Sequence, residues 1–480
     1  MVFSSLIFLF CFLPLVLAGY VLQPRLLRNT YLLLASLIFY SWGEGIYVLL
    51  MLGSIAVNYF FGLRIYRTED KRVKRFFLVT GVVLNLSPLV FFKYSEFLVA
   101  NFNGLLVYLH CPFFLPVPEL HLPLGISFFT FQSLSYLVDT WRGTTEPQRN
   151  PINLGLYIAL FPQLIAGPIV RYHDLARQLL ERKVDLAGFA CGVERFIIGL
   201  GKKVLLANNL AILADTTFAI APDGLTTAAV WCGATAYALQ IYYDFSGYSD
   251  MAIGLGQMFG FTFLENFNYP YISKSIQDFW RRWHISLSNW FRDYLYIPLG
   301  GNRKGSTRTM VNLLIVFLLC GFWHGASWTF IVWGLFHGFF LAIERTRFGD
   351  WLKRIPVLAQ HGYALLVVLV GWIFFRAETL DEAVDYIKIL FGGGHAKTMP
   401  YEVLLKLDAL TLTVLALGLV GMTPFWKKLL QCGVVKWSSW TRYKITALET
   451  GRICYLTAIL LLSLSSLATG VYNPFIYFRF

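Results

Sequence analysis

Apolar runs long enough to cross a bilayer alternate with short polar clusters along the whole chain. A membrane span takes about 20 helical residues. Tyr31–Leu63, broken at Gly43-Glu44-Gly45, therefore predicts two helices that cross out and back. Further apolar segments lie near Phe76–Val99, Leu122–Val138, Ile152–Val170, Gly188–Ala214, Leu225–Phe263, Val311–Ile343, Ala364–Phe375, Leu410–Val420 and Ile453–Val471. With the N-terminal run they predict an all-α polytopic membrane protein with about eleven transmembrane helices. Segments too short or too broken to span are expected to be re-entrant or interfacial, because backbone groups at membrane depth must pair inside the protein. Phe161–Pro168, with Pro162, Gly167 and Pro168, is the clearest re-entrant candidate. No linker, low-complexity tract or internal repeat divides the sequence, so residues 1–480 read as one transmembrane domain.

Charge orients this pattern. The N-terminal run has no basic lead-in and is followed by Arg25 and Arg28, as a retained first helix running inward would be. The basic cluster Arg64, Arg67, Lys71, Arg72, Lys74 and Arg75 then falls in the cytoplasm, where positive loops accumulate. Charged residues make up 14% of the chain, well below the roughly 25% of soluble domains, which excludes a soluble protein. The net charge of +13 is spread over short loops between apolar runs, which argues against a nucleic-acid partner. The cysteines form no C-x-x-C pair and no zinc spacing, so neither a metal site nor a disulfide framework is expected.

Candidate chemistry centres on His324. Between Val311 and Phe330 it and the thiol of Cys320 are the sole ionisable side chains, and an intramembrane imidazole is by default a functional group. The competing reading is a hydrogen-bonded core histidine. His337 lies about 220° further round a continuous helix, which assigns it a packing role. His110, His121, His173, His361 and His395 sit at loop-like positions. From Gln277 to Tyr294, one helical stripe carries Gln277, Arg281, His284, Ser288 and Arg292, and another Phe279, Trp283, Leu287, Trp290 and Tyr294. That helix is either an anchor at the lipid headgroups or the mouth of a reaction chamber, with Arg281 on the phosphates of a carrier such as coenzyme A. Asp244 and Asp250 interrupt another apolar region and read as structural or supporting carboxylates, with cation binding as the alternative.

Several runs together resemble the membrane-bound O-acyltransferase (MBOAT) superfamily: Leu122–Gln132, Phe161–Pro168, Asp244–Asp250, Arg282–Ser288 and Phe322–Gly325. Arg292–Arg303 and the closing Asn473–Phe480 resemble its bacterial alginate O-acetylation branch, and the matching runs extend over the whole chain. The resemblance implies a ring of helices around a thin partition pierced by a central channel. It implies His324 as the catalytic histidine and His284 as a second and more cytoplasmic one, while Arg281, Arg282 and Ser288 of the amphipathic stretch are the candidates for holding the donor.

The implied activity is a membrane-bound O-acetyltransferase in the bacterial cytoplasmic (inner) membrane. It takes acetyl from acetyl-CoA, with no bound cofactor, for an alginate-type or related extracytoplasmic polysaccharide, alongside an extracytoplasmic acetyltransferase partner. His324 would act as a general base or as a nucleophile that becomes acetyl-imidazole. D-alanyl or other acyl transfer to teichoic acid or peptidoglycan is the alternative within the superfamily. A polysaccharide flippase or transporter, or a synthase scaffold, is the alternative outside it.

Overall fold

The computed structural model describes residues 2–394, 396–425, 449–470 and 476, and the helical backbone of 442–448. His395 and, apart from Ile476, the closing run Asn473–Phe480 lie outside the described residues. Among these residues all regular structure is helical. A short α1 (Leu13–Leu22) precedes α2 (Arg28–Glu44) and α3 (Val48–Arg67), which flank a 3-10 turn at Gly45–Tyr47, where the sequence predicts a break. In α4 (Lys71–Tyr108) the first turn is capped by Asp70, whose carboxylate accepts the N–H groups of Arg72 and Val73. These helices leave Leu34, Leu49, Val79 and Leu98 exposed, as a lipid-facing wall does.

Inside that wall lie α5 (Ile126–Arg142), α6 (Pro151–Ala159) and α7 (Phe161–Leu164). All of Phe161–Pro168 is buried. Its groups pair with protein: the Phe161 N–H donates to Ser36 Oγ, and the Gln163 side-chain amide donates to the Tyr157 carbonyl. That is what irregular backbone at membrane depth requires. Two turns, α8 (Tyr172–Leu175) and α9 (Gln178–Glu181), lead to α10 (Leu186–Gly201), which a π-helical stretch joins to α11 (Asn208–Phe218). The 32-residue α12 (Thr227–Met258) is buried along most of its length. It crosses α10 at glycines: a Cβ on Gly199 would stand 2.6 Å from the Gly247 carbonyl oxygen, and one on Gly192 2.6 Å from that of Gly254. Close backbone approach of this kind drives helix pairing where lipid removes the hydrophobic incentive.

The continuous amphipathic helix expected over Gln277–Tyr294 is instead two short helices, α13 (Ile276–Arg282) and α14 (Ile285–Phe291), followed by a π-helical turn at Arg292–Tyr296. The break is at His284, whose φ of 44° and ψ of 52° are left-handed. The aromatic stripe is not an anchor at the lipid headgroups. Phe279, Trp283, Leu287 and Trp290 are all buried, and Trp290 stacks on Phe131 at 3.8 Å between ring centres. The apolar run Val311–Ile343 forms a hairpin of α15 (Ser306–His324) and α16 (Trp328–Ile343). Gly321 lies against the Phe330 carbonyl and Gly334 against that of Phe317, with no room for a Cβ.

The remainder comprises α17 (Arg347–Leu352), α18 (Val357–Arg376), α19 (Leu380–Leu390), α20 (Tyr401–Lys406), α21 (Ala409–Gly421) and the helix Arg442–Ala468. Six helical stretches among the described residues have the length and hydropathy of a span: 28–67, 71–108, 186–218, 306–324, 357–376 and 449–468. Shorter apolar helices cover Phe8–Leu22, Trp328–Ile343 and Ala409–Gly421.

Candidate active site

His324 is the last residue of α15, which stops because Gly325 turns to extended backbone with φ of −166°. The imidazole is buried and walled edge-on by Trp323 and Trp333, each at 4.9 Å, and by Phe375 at 5.1 Å. Among the described residues no protein group hydrogen-bonds either ring nitrogen. A packed structural histidine would have such a partner, so the hydrogen-bonded core reading does not describe this ring.

Two cavities meet at His324. The wide one, about 420 Å³, is walled by Glu44, Lys93, His121, Ser127, Ile165 and Trp323. The narrow one, about 10 Å³, lies among Phe245, Trp283, Trp333, Trp372 and Ile476. It has room for roughly one water. His324 lines both.

His284 is fully buried, 6.1 Å from the Trp323 ring and 4.6 Å from that of Phe245. Its Nδ1 meets Asn266 Oδ1 at 3.2 Å, and the same oxygen accepts the Ser286 N–H and hydroxyl. An amide oxygen cannot donate, so Nδ1 carries the proton and Nε2 keeps a lone pair with no partner among the described residues. His337 is closer to the site than a continuous helix would place it, because the chain reverses after His324. Trp333 lies between them, 4.9 Å from His324 and 5.1 Å from His337. His337 Nδ1 accepts from Trp280 Nε1 at 3.4 Å, which gives it the opposite tautomer to His284.

The donor-holding candidates lie away from both cavities. Arg281 is exposed, with no ion-pair partner among the described residues. Arg282 is committed to Asp278 at 2.9 Å and to the Asn268 carbonyl at 3.2 Å. Ser288 is half-buried and donates its N–H to the His284 carbonyl. Asp244 pairs with Lys203 at 2.6 Å and accepts the Ile476 N–H at 2.8 Å. Asp250 pairs with Lys202 at 2.6 Å and Arg195 at 2.9 Å. Both carboxylates are thus neutralised by fixed cations, as a structural role requires.

Sequence reasoning passed over Lys93, Tyr94 and Asn266. Lys93 could have been noticed as a charge inside the apolar run Phe76–Val99, whereas Asn266 has no pattern that marks it. A further cluster joins three elements away from His324: Asp139 of α5 accepts from His173 Nδ1 at 2.8 Å and from the Tyr294 hydroxyl at 2.9 Å. Hydrogen bonds to Asp139 and then Asp174 push the His173 pKa up to about 9.

The profile of MBOAT, the membrane-bound O-acyltransferase family, matches residues 128–375, which include His284, His324 and His337. The chain is 42% identical to the probable alginate O-acetylase AlgI of Azotobacter vinelandii, over the full length of both. It is 45% identical to the AlgI of Pseudomonas aeruginosa, covering 90% of this chain and 83% of that one. It is 39% identical to the peptidoglycan O-acetyltransferase of Helicobacter pylori, over 82% and 80%. A buried histidine shared by two cavities, inside a matched region spanning more than half the chain, identifies this polytopic protein as an enzyme of the membrane-bound O-acyltransferase family.

Proposed function

We propose that this chain, as a single transmembrane domain of a bacterial cytoplasmic membrane, moves acetyl from cytoplasmic acetyl-CoA toward an extracytoplasmic polysaccharide. The observation that carries the reading is the His324 imidazole, unbonded among the described residues and accessible from two cavities. The relatives' names supply the acetyl group and the glycan class.

Sidedness follows from charge. The basic cluster Arg64–Arg75 joins one end of α3 to α4, whereas Glu44 and His121 stand at the opposite end of these helices. With the cluster in the cytoplasm, the wide cavity opens outward and the narrow one lies on the donor side. Arg281, exposed and uncommitted, is the best of the three candidates for a coenzyme A phosphate. The wide cavity would receive the acceptor or the acetyl-accepting group of a partner acetyltransferase.

In the direct mechanism the acceptor hydroxyl attacks the thioester carbonyl while His324 takes its proton. The C–S bond breaks, and the imidazolium returns the proton to the departing thiolate, which leaves as free thiol. In the two-step version a His324 nitrogen attacks the carbonyl, the C–S bond breaks and the thiolate leaves as thiol with the proton of the other ring nitrogen. The acceptor hydroxyl then attacks the acetyl-imidazole, the C–N bond breaks and the hydroxyl proton returns to the ring. Both need a neutral, uncommitted imidazole.

The test is thiol release from radiolabelled acetyl-CoA by membranes carrying the protein and its extracytoplasmic partner. His324→Ala at matched abundance should lose at least about 100-fold in rate, the usual worth of such a group. Equal release by the variant would overturn the reading. Peptidoglycan is the second acceptor to consider, since the Helicobacter pylori relative carries that name. Label recovered in purified sacculi rather than secreted polysaccharide would establish it.

A further inference from the structure

The end of α15 leaves three main-chain carbonyls to satisfy. The last carbonyls of any helix lack partners within it, and here Gly325 N–H caps that of Gly321, leaving Phe322, Trp323 and His324. All three are met by two consecutive residues of α4. The Tyr94 hydroxyl donates to the Phe322 carbonyl at 2.6 Å. The Lys93 ammonium donates to those of Trp323 and His324 at 2.6 and 3.0 Å. A cation at this end of a helix also meets the negative pole of its dipole. Lys93 has no carboxylate partner among the described residues, so its charge rests on the peptide oxygens that carry His324. It lines the wide cavity together with His324 and lies outside the region matched by the family profile.

Among the described residues the imidazole of His324 has no hydrogen-bond partner of its own. Its place is therefore set by its aromatic walls and by the main chain on which it sits. We propose that Lys93 is a positioning residue for acyl transfer: its ammonium pins the last turn of α15 so that His324 stays at the junction of the two cavities. This rests on the reading of His324 as the acyl-transfer group.

The experiment compares wild type, Lys93→Met, Lys93→Arg and Lys93→Cys in membranes with the partner present, following thiol release from acetyl-CoA per folded molecule. The Cys variant is measured before and after alkylation with 2-bromoethylamine, which rebuilds a primary ammonium at lysine's length; treated wild type controls for the native cysteines. Lys93→Met should lower kcat by about 100-fold, the usual cost of an ångström's misplacement, with KM for acetyl-CoA unchanged. Lys93→Arg should retain much more turnover, and aminoethylation should restore most of the Cys variant's activity. Unchanged kcat per folded molecule in Lys93→Met, or no recovery on aminoethylation, would overturn the proposal. Silent wild-type membranes would instead overturn the reading of His324 on which it rests.

Discussion

Three histidines share one aromatic nest, and their differences lie in which nitrogen is committed. His284 spends Nδ1–H on Asn266, His337 accepts at Nδ1 from Trp280, and His324 commits neither nitrogen. The fold thus separates two committed imidazoles from an uncommitted one, with no carboxylate on any of the three rings among the described residues. Asn266→Ala strands the His284 Nδ1–H and two donors of Ser286 inside the protein, at about 1–3 kcal/mol for each unsatisfied group. The variant should melt below wild type in detergent, and Asn266→Asp should recover part of the loss by restoring the acceptor. The burial of His324 among apolar side chains was legible from sequence because it stands in an unbroken apolar run. The conformation of His284 was not. A left-handed histidine is uncommon, and what holds it here is a contact 18 residues away.

At the level of elements, breaks matter more than spans. The expectation of one stripe from Gln277 to Arg292 failed because helical periodicity does not register a single left-handed residue, which here reorients α14 relative to α13. The interruption at Gly43–Gly45 and the buried break at Phe161–Pro168 were readable, since glycine and proline mark them directly. The α10–α12 crossing rests on Gly192 and Gly199 against Gly254 and Gly247. A leucine at Gly199 would force its Cβ onto the Gly247 carbonyl, and overpacking of this kind costs about 1–3 kcal/mol. Gly199→Leu should lower the melting temperature measured by tryptophan fluorescence, whereas Gly53→Leu, where a Cβ meets nothing within 4 Å, should leave it unchanged.

For the whole molecule, the cluster of Asp139, His173 and Tyr294 ties α5, the α8 turn and the π-helical turn after α14 into one unit. Bonds to Asp139 and Asp174 raise the His173 pKa from the ordinary 6.5 to about 9. The stabilisation is complete below the ordinary value and disappears as pH rises through about 9. Wild-type melting temperature should therefore fall between neutral pH and pH about 10 relative to His173→Gln. Parallel curves for the two proteins would exclude His173 as the source. These long-range ties had no counterpart in the sequence pattern, whereas the overall helical architecture did, because hydropathy is a local property. The narrow cavity also has a consequence for the cell. A space of about 10 Å³ walled by phenylalanine, tryptophan and isoleucine cannot hold a continuous file of water. With room for roughly one water beside His324, the narrow cavity offers ions no hydrated path through this part of the protein.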